Sequence, residues 1–122
     1  MLFDPFKKIV QSSNDIYIKI KSESDHYNLP LMIEHLVFRA NTEKGGYIID
    51  GDIKKILPLV RQAVGLGADI IKADPTIDVR DYHRVVKIAG NMPVLVRGGS
   101  RASDRPVIRI FSSALKHQWS RA

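Results

Sequence analysis

The sequence predicts an α/β fold with a parallel sheet, and three observations support this. Residues 31–38, 69–73 and 93–97 form short apolar runs, which is typical of parallel strands that are buried on both faces. Amphipathic segments lie between these runs. Each of those segments starts and stops with residues that favour helix ends. Strands that alternate with helices pair in parallel through right-handed crossovers, so we expect the order β-α-β-α-β-α.

Residues 13–27 could form a first helix, with Ser13 or Asn14 as its N-cap and a break at Asn28-Leu29-Pro30. Strand-like alternation is the other interpretation, since Ile16, Tyr17, Ile18 and Ile20 alternate as readily as they follow helical spacing. After the first strand, residues 39–52 are mostly polar and glycine-containing, and we predict a long loop there. Long loops at the carboxyl ends of parallel strands often contact substrate.

The second helix is predicted to follow Asp52 as its N-cap and to end near Gly65 and Gly67. Its apolar residues recur at helical spacing. They are Ile53, Ile56, Leu57, Val60 and Val64. Pro58 interrupts the pattern, which predicts either a kink there or a helix that starts near Leu57.

A third helix is predicted between an Asp78 cap and a stop at Gly90. Its expected buried stripe consists of Val79, Tyr82, Val85, Val86 and Ala89. A last helix is predicted after the third strand, with Ser103 or Asp104 as its cap and Pro106 in its first turn.

Composition indicates one small globular domain. The chain has 122 residues, of which 44% are hydrophobic and 26% charged, and it contains no cysteine. Disulfides and a cysteine nucleophile are therefore excluded. No apolar run approaches the length of a membrane span and the amino terminus lacks a signal-peptide pattern, so we expect a cytoplasmic protein without membrane partners.

The positive charge is concentrated at the carboxyl-terminal end. Residues 97–122 hold six basic side chains against the single acid Asp104, and so carry +5 of the net charge of +6. A basic segment can bind nucleic acid, or it can combine a phosphate site with a solvated helix face. We favour the second interpretation and expect no nucleic-acid partner, because no aromatic interleaving and no nucleic-acid motif accompanies these arginines.

Lys72 is the main candidate for chemistry. It lies near the carboxyl end of an apolar strand, between Ile71 and Ala73, where barrel enzymes place their sites. Apolar surroundings disfavour an ammonium group, and the neutral amine can form a Schiff base with a carbonyl. The alternative is a lysine that extends from the strand end into solvent.

Glu34 is the second candidate, since it interrupts an apolar strand at a similar distance from that strand's end. A carboxyl group there could transfer protons during imine chemistry. The alternative is a carboxylate that only pairs with a nearby cation such as Lys72. His35 should point to the opposite face and pack there. The four histidines are scattered, so no metal site is predicted.

Gly98-Gly99-Ser100 follows the third strand and leads into a predicted helix. Such a turn lets backbone N–H groups approach an anion closely, and Arg97 or Arg101 could add a charged contact. We therefore predict phosphate binding by Arg97, Gly98, Gly99, Ser100 and Arg101.

Four blocks along the chain resemble one enzyme family. They are Leu29-Pro30-Leu31-Met32-Ile33-Glu34, residues 56–64, Gly67-Ala68-Asp69-Ile70-Ile71-Lys72, and Pro93-Val94-Leu95-Val96-Arg97-Gly98-Gly99. Together, in this order, they are similar to the class I (Schiff-base) fructose-bisphosphate aldolases of bacteria and archaea, and to the related tagatose-bisphosphate and deoxyribose-phosphate aldolases. The resemblance covers residues ~22–104.

The resemblance implies a (β/α)₈ TIM barrel in which these segments are strands five to seven. It also implies Lys72 as the Schiff-base lysine, Glu34 as the acid/base residue of tagatose-type members, phosphate binding at Gly98 and Gly99, a phosphorylated sugar as substrate, and no cofactor.

The chain departs from the family at both ends. Residues 1–21 and 105–122 diverge, so we expect residues 1–122 to form a single incomplete barrel domain, an open half-barrel with impaired carbon–carbon lyase activity. A half-barrel exposes sheet surface and edges, which predicts self-association. One alternative is a non-catalytic fragment that acts only by self-association or partner docking. Another is a thiolase-like or ulosonate-synthase relative.

Overall fold

The described part of the chain is built around one three-stranded parallel sheet. The computed structural model describes the backbone of residues 5–97 and the side chains of residues 13–97. The strands are β1 (Met32–Glu34), β4 (Ile70–Ala73) and β5 (Val94–Val96), in the spatial order β1–β4–β5. Both pairings are parallel. The predicted α/β class is thereby confirmed for this part of the chain.

The helices are α1 (Pro5–His26), α2 (Ile53–Gly65) and α3 (Tyr82–Ile88), the last preceded by a 3₁₀ turn at Val79–Asp81. Two helical segments begin where their caps predict, whereas α1 begins at Pro5, so the predicted caps Ser13 and Asn14 lie inside that helix and the cap prediction is wrong there. The Asp52 carboxylate accepts the Lys54 backbone N–H at 2.9 Å, so α2 starts at Ile53 and the alternative start near Leu57 is wrong. The Asp78 carboxylate caps the 3₁₀ turn in the same way, through the Arg80 N–H.

The segment after β1 differs from the prediction. The first strand ends at Glu34, and the predicted loop contains a two-stranded antiparallel hairpin of β2 (Phe38–Ala40) and β3 (Tyr47–Ile49). Gly45 and Gly46, both with positive φ, lie in its turn, a conformation that glycine adopts without strain. The polarity of residues 39–52 concealed the hairpin, because its strands are exposed and carry no buried stripe.

The hydrophobic core lies between one face of the sheet and helices α2 and α3. Tyr82 and Val85 of α3 are 0% exposed, and Ile33 and Ile71 of the sheet are 2% exposed. The predicted stripe of α3 is buried, apart from the partly buried Val79. Ile33, Ile71 and Val94 are partners in the strand register, so they lie on one face of the sheet. This is the face that packs against the helices.

The opposite face of the sheet is only partly covered by the described residues. Met32 and Leu95 lie on it and are 48% and 49% exposed. Within residues 5–97, no helix is long and apolar enough to cross a membrane. The predicted last helix and the Gly98–Gly99 turn lie outside the described residues.

Candidate active site

The site is built at the carboxyl end of the parallel sheet. Glu34 of β1 and Lys72 of β4 are direct partners in the strand register, so both side chains leave the sheet on the same, less covered face. Lys72 Nζ lies 3.4 Å from Glu34 Oε1, and each side chain is about one-third exposed. The two residues singled out from the sequence are therefore brought together as an ion pair that solvent and small molecules can reach.

Arg97, which follows β5, also contacts the Glu34 carboxylate. Its backbone N–H donates to the Ala73 carbonyl at 2.8 Å, which extends the pairing of β5 with β4. Its Nε lies 3.4 Å from Glu34 Oε1. Glu34 thus has two cationic neighbours, one of which is the candidate nucleophile.

Asp74 is the member of the site that the sequence interpretation missed. Its side chain is 1% exposed. One carboxylate oxygen accepts from Arg97 Nη1 at 2.9 Å and the other accepts the Val37 backbone N–H at 3.1 Å. The available signal was its position, an acidic residue directly after an apolar strand and before Pro75, at the end of the sheet where barrel enzymes place functional groups.

Of the predicted phosphate-binding residues, only Arg97 is described. Gly98, Gly99, Ser100 and Arg101 lie outside the described residues. The Arg97 side chain is 22% exposed and is held between Asp74 and Glu34. Its guanidinium carbon also lies 5.9 Å from the centre of the Phe38 ring, a distance that allows a cation–π contact.

His35 turns away from this site, as the alternation of β1 predicts. Both ring nitrogens are buried and have no hydrogen-bond partner among the described residues. Burial lowers the pKa of His35 because the charged ring would lose its hydration. The Tyr17 ring of α1 packs nearby, with ring centres 6.1 Å apart. Within residues 13–97, no three metal-binding side chains come together in a cluster.

The space beneath the sheet is too small for a substrate. A cavity of about 10 Å³ lies among Ile71, Lys72, Asp74 and α2 side chains, which is about the volume needed for one water molecule. A carbonyl compound would therefore have to reach Lys72 from the less covered face of the sheet, which is the interior face in a closed barrel.

Comparison with known proteins identifies the family. The model of the DeoC/LacD family aldolases matches residues 11–121. The chain belongs to this aldolase family. The resemblance inferred from the four sequence blocks is confirmed.

The relatives with assigned functions point in the same direction. The class 1 fructose-bisphosphate aldolase of Thermoproteus tenax is 31% identical over 84 residues, which are 68% of this chain and 30% of that enzyme. A Schiff-base-forming fructose-1,6-bisphosphate aldolase superposes with a TM-score of 0.68 at 25% identity, covering 88% of this chain and 41% of the other. An archaeal fructose-1,6-bisphosphate aldolase gives a TM-score of 0.66 at 23% identity, covering 86% and 40%. The chain spans less than half the length of these family members.

Proposed function

We propose that this chain carries the Schiff-base half of an aldolase site and acts as a carbon–carbon lyase on a phosphorylated ketose, with Lys72 as the nucleophile. The observation that carries the proposal is the register pairing of Lys72 with Glu34, which puts an amine and a carboxylate 3.4 Å apart at the carboxyl end of the sheet. The presence of a Schiff-base-forming aldolase among the structural neighbours supports the same chemistry.

The proposed reaction begins when the neutral Lys72 amine adds to the substrate carbonyl. The resulting carbinolamine loses water and becomes a protonated imine. Cleavage of the adjacent carbon–carbon bond sends its electron pair into this imine, which becomes an enamine, while the hydroxyl of the departing aldehyde gives up its proton. Protonation of the enamine and addition of water then release the second product and restore Lys72.

Glu34 is the proposed proton carrier in this sequence. Its carboxylate lies beside Lys72 Nζ, so it can accept the proton of the substrate hydroxyl and return one to the enamine carbon. The reaction as written needs no cofactor. Whether the chain completes the cycle depends on the groups that the rest of a barrel provides, and we propose impaired turnover for the chain by itself.

The proposed substrate class follows from the relatives and from the glycine-rich sequence after β5. The relatives are named as aldolases of a sugar bisphosphate. We propose that one phosphate binds at Gly98, Gly99, Ser100 and Arg101, since a glycine turn before a helix offers free N–H groups to an anion. We also propose that the protein acts in the cytoplasm.

Trapping of the imine tests the proposal. The full chain is incubated with fructose 1,6-bisphosphate and borohydride, and the adduct is located by peptide mass mapping. We expect it on Lys72 and its loss in Lys72→Met. The exposed Lys54, Lys55 and Lys87 are the internal controls. Even labelling of those lysines would contradict a selective reaction at Lys72. The absence of any adduct would favour a non-catalytic fragment that acts by self-association.

A further inference from the structure

We propose that Asp74 and Arg97 are a positioning pair for Glu34, with Arg97 serving this carboxylate and not the substrate phosphate. The inference rests on the proposed function for its catalytic meaning, because it assigns Glu34 as the proton carrier. It departs from the sequence interpretation, which grouped Arg97 with the phosphate-binding turn.

The first step of the argument is the burial of Asp74. A carboxylate that is 1% exposed is costly unless hydrogen bonds and an opposite charge compensate for its lost hydration. Asp74 receives both, from Arg97 Nη1 at 2.9 Å and from the Val37 N–H at 3.1 Å. Withdrawal of Arg97 towards a phosphate would leave this buried charge without its cation, so the structure opposes such a movement.

The second step is the geometry of the guanidinium. Arginine presents several N–H donors in one rigid plane. Fixing Nη1 on Asp74 and the backbone N–H on the Ala73 carbonyl leaves the side chain little freedom. Its Nε is then held 3.4 Å from Glu34 Oε1, the oxygen that also faces Lys72. Asp74 thereby acts on Glu34 through Arg97.

The third step concerns charge during the reaction. Lys72 must lose its positive charge before it can attack a carbonyl, and Glu34 then loses one of its two cationic neighbours. Arg97 does not take part in this proton exchange. It therefore keeps the Glu34 carboxylate in place while Lys72 passes from ammonium to neutral amine.

The test follows the Arg97 Nε–H signal by NMR in the isotope-labelled full chain, with inorganic phosphate as the probe. We expect slow exchange of this proton with water, a shift of the signal in Glu34→Gln, and no shift on addition of phosphate. In Asp74→Asn, exchange should accelerate by about tenfold or more, because the anchoring carboxylate has lost its charge.

Arg80 provides the matched control. Its Nη2 and Nε both donate to the Asp78 carboxylate, at 2.7 Å and 3.0 Å. Its side chain is nevertheless 87% exposed, so its Nε–H should exchange with water faster than that of Arg97. Asp78→Asn should leave the Arg97 signal unchanged. If Asp74→Asn does not fold, Glu34→Gln still tests the link, since it removes the charge from one side of the Arg97–Glu34 contact at an incompletely buried position.

A kinetic measurement distinguishes positioning from simple structural support. We expect Asp74→Asn and Arg97→Gln to lower the maximal rate of borohydride trapping at Lys72 by about tenfold, while the half-saturating concentration of fructose 1,6-bisphosphate changes less than about twofold. Arg97→Lys, which keeps the charge, should recover part of the rate.

Two results would overturn the inference: a phosphate-induced shift of Arg97 Nε–H with no response to Glu34→Gln, or an unchanged maximal trapping rate in Asp74→Asn. Failure of the wild-type chain to label Lys72 is a separate outcome. It would refute the proposed function, whereas the NMR responses to Glu34→Gln and Asp74→Asn would still decide whether Asp74 holds Arg97 on Glu34.

Discussion

The two ends of β4 carry the same kind of contact in different environments. Asp69 precedes the strand and Asp74 follows it, and each carboxylate accepts a backbone N–H, Asp69 from just before β1 and Asp74 from just before β2. Asp69 accepts from Leu31 at 2.8 Å and Asp74 from Val37 at 3.1 Å. Each also holds a cation, Lys21 for Asp69 and Arg97 for Asp74. An aspartate therefore links the amino end of β4 to the residue before β1, and another links its carboxyl end to the residue before β2.

The two contacts differ in the burial of the aspartate and in which other side chain its cation contacts. The Asp69 side chain is 43% exposed, and Lys21, which comes from α1, is shared with Asp25 at 2.8 Å. The Leu31 N–H and then Lys21 lower the pKa of Asp69. Asp74 is 1% exposed, and its cation continues to Glu34. The aspartate–cation pair at the amino end of β4 therefore holds helix α1, whereas the pair at the carboxyl end supports the candidate active site. In parallel barrels, likewise, residues at the amino ends of the strands serve stability and residues at the carboxyl ends serve function.

The largest expected difference between the two ends is in stability. Replacing Asp74 by Ala should lower the free energy of unfolding by about 3 kcal/mol, because it leaves Arg97 partly buried without its partner. Asp69→Ala should cost clearly less, since water replaces most of the lost contacts at a site that solvent reaches. Urea unfolding of both variants measures the difference. Equal losses would mean that the two contacts are equivalent and that burial at the carboxyl end has no special role.

A glycine at each end sharpens the same comparison. A Cβ on Gly51 would meet Pro75 O at 2.8 Å and Ile77 N at 2.9 Å, both backbone atoms just beyond β4. A Cβ on Gly67, where φ is +88°, would meet the flexible Lys21 side chain at 3.1 Å.

We therefore expect Gly51→Ala to lower the free energy of unfolding by about 2 kcal/mol, since backbone must move. Gly67→Ala should cost about 1 kcal/mol from its positive φ. Thermal unfolding of the two variants provides the measurement. A larger loss of unfolding free energy in Gly67→Ala than in Gly51→Ala would show that the backbone beyond β4 moves at less cost than its packing indicates.

The sequence predicts the helix-covered side of the sheet well because its signals are local. Asp52 and Asp78 cap through backbone N–H groups two residues ahead, and Gly90 ends α3 with a positive φ. Apolar spacing of 3.6 residues marks the buried faces of α2 and α3. The pairing of Lys72 with Glu34 was also foreseeable, since both lie at similar distances from the ends of apolar strands.

What the sequence leaves open depends on contacts between distant residues. Asp74 and Arg97 are 23 positions apart, and their meeting depends on the register of β4 with β5. The hairpin was missed because its strands are exposed, so no buried stripe marks them. The first strand was predicted too long because residues 35–38 are mostly apolar, although the chain leaves the sheet after Glu34.

The smallest predicted effect concerns acid sensitivity, and it contrasts His35 at the carboxyl end of β1 with the exposed His26 at the end of α1. Burial lowers the pKa of His35 in the folded chain, so the unfolded chain binds this proton more readily. The stability contribution is therefore complete above the unfolded pKa, ~6.5, and declines as the pH falls below it.

Tyr17 packs beside the ring, and Lys72 and Asp74 line the same small cavity as His35. None of them donates to or accepts from the ring nitrogens of His35. Replacing the imidazole should therefore isolate its own contribution to the pH dependence of the unfolding free energy. We expect the loss of unfolding free energy between pH 7.5 and pH 5.5 to be smaller in His35→Phe than in the wild type, by about 1 kcal/mol or less. His26→Gln should leave that loss unchanged. Urea unfolding at the two pH values measures this loss. Equal acid sensitivity in His35→Phe and the wild type would show that the charged ring finds a hydrogen-bond partner. The burial of His35 would then not make the folded chain sensitive to acid.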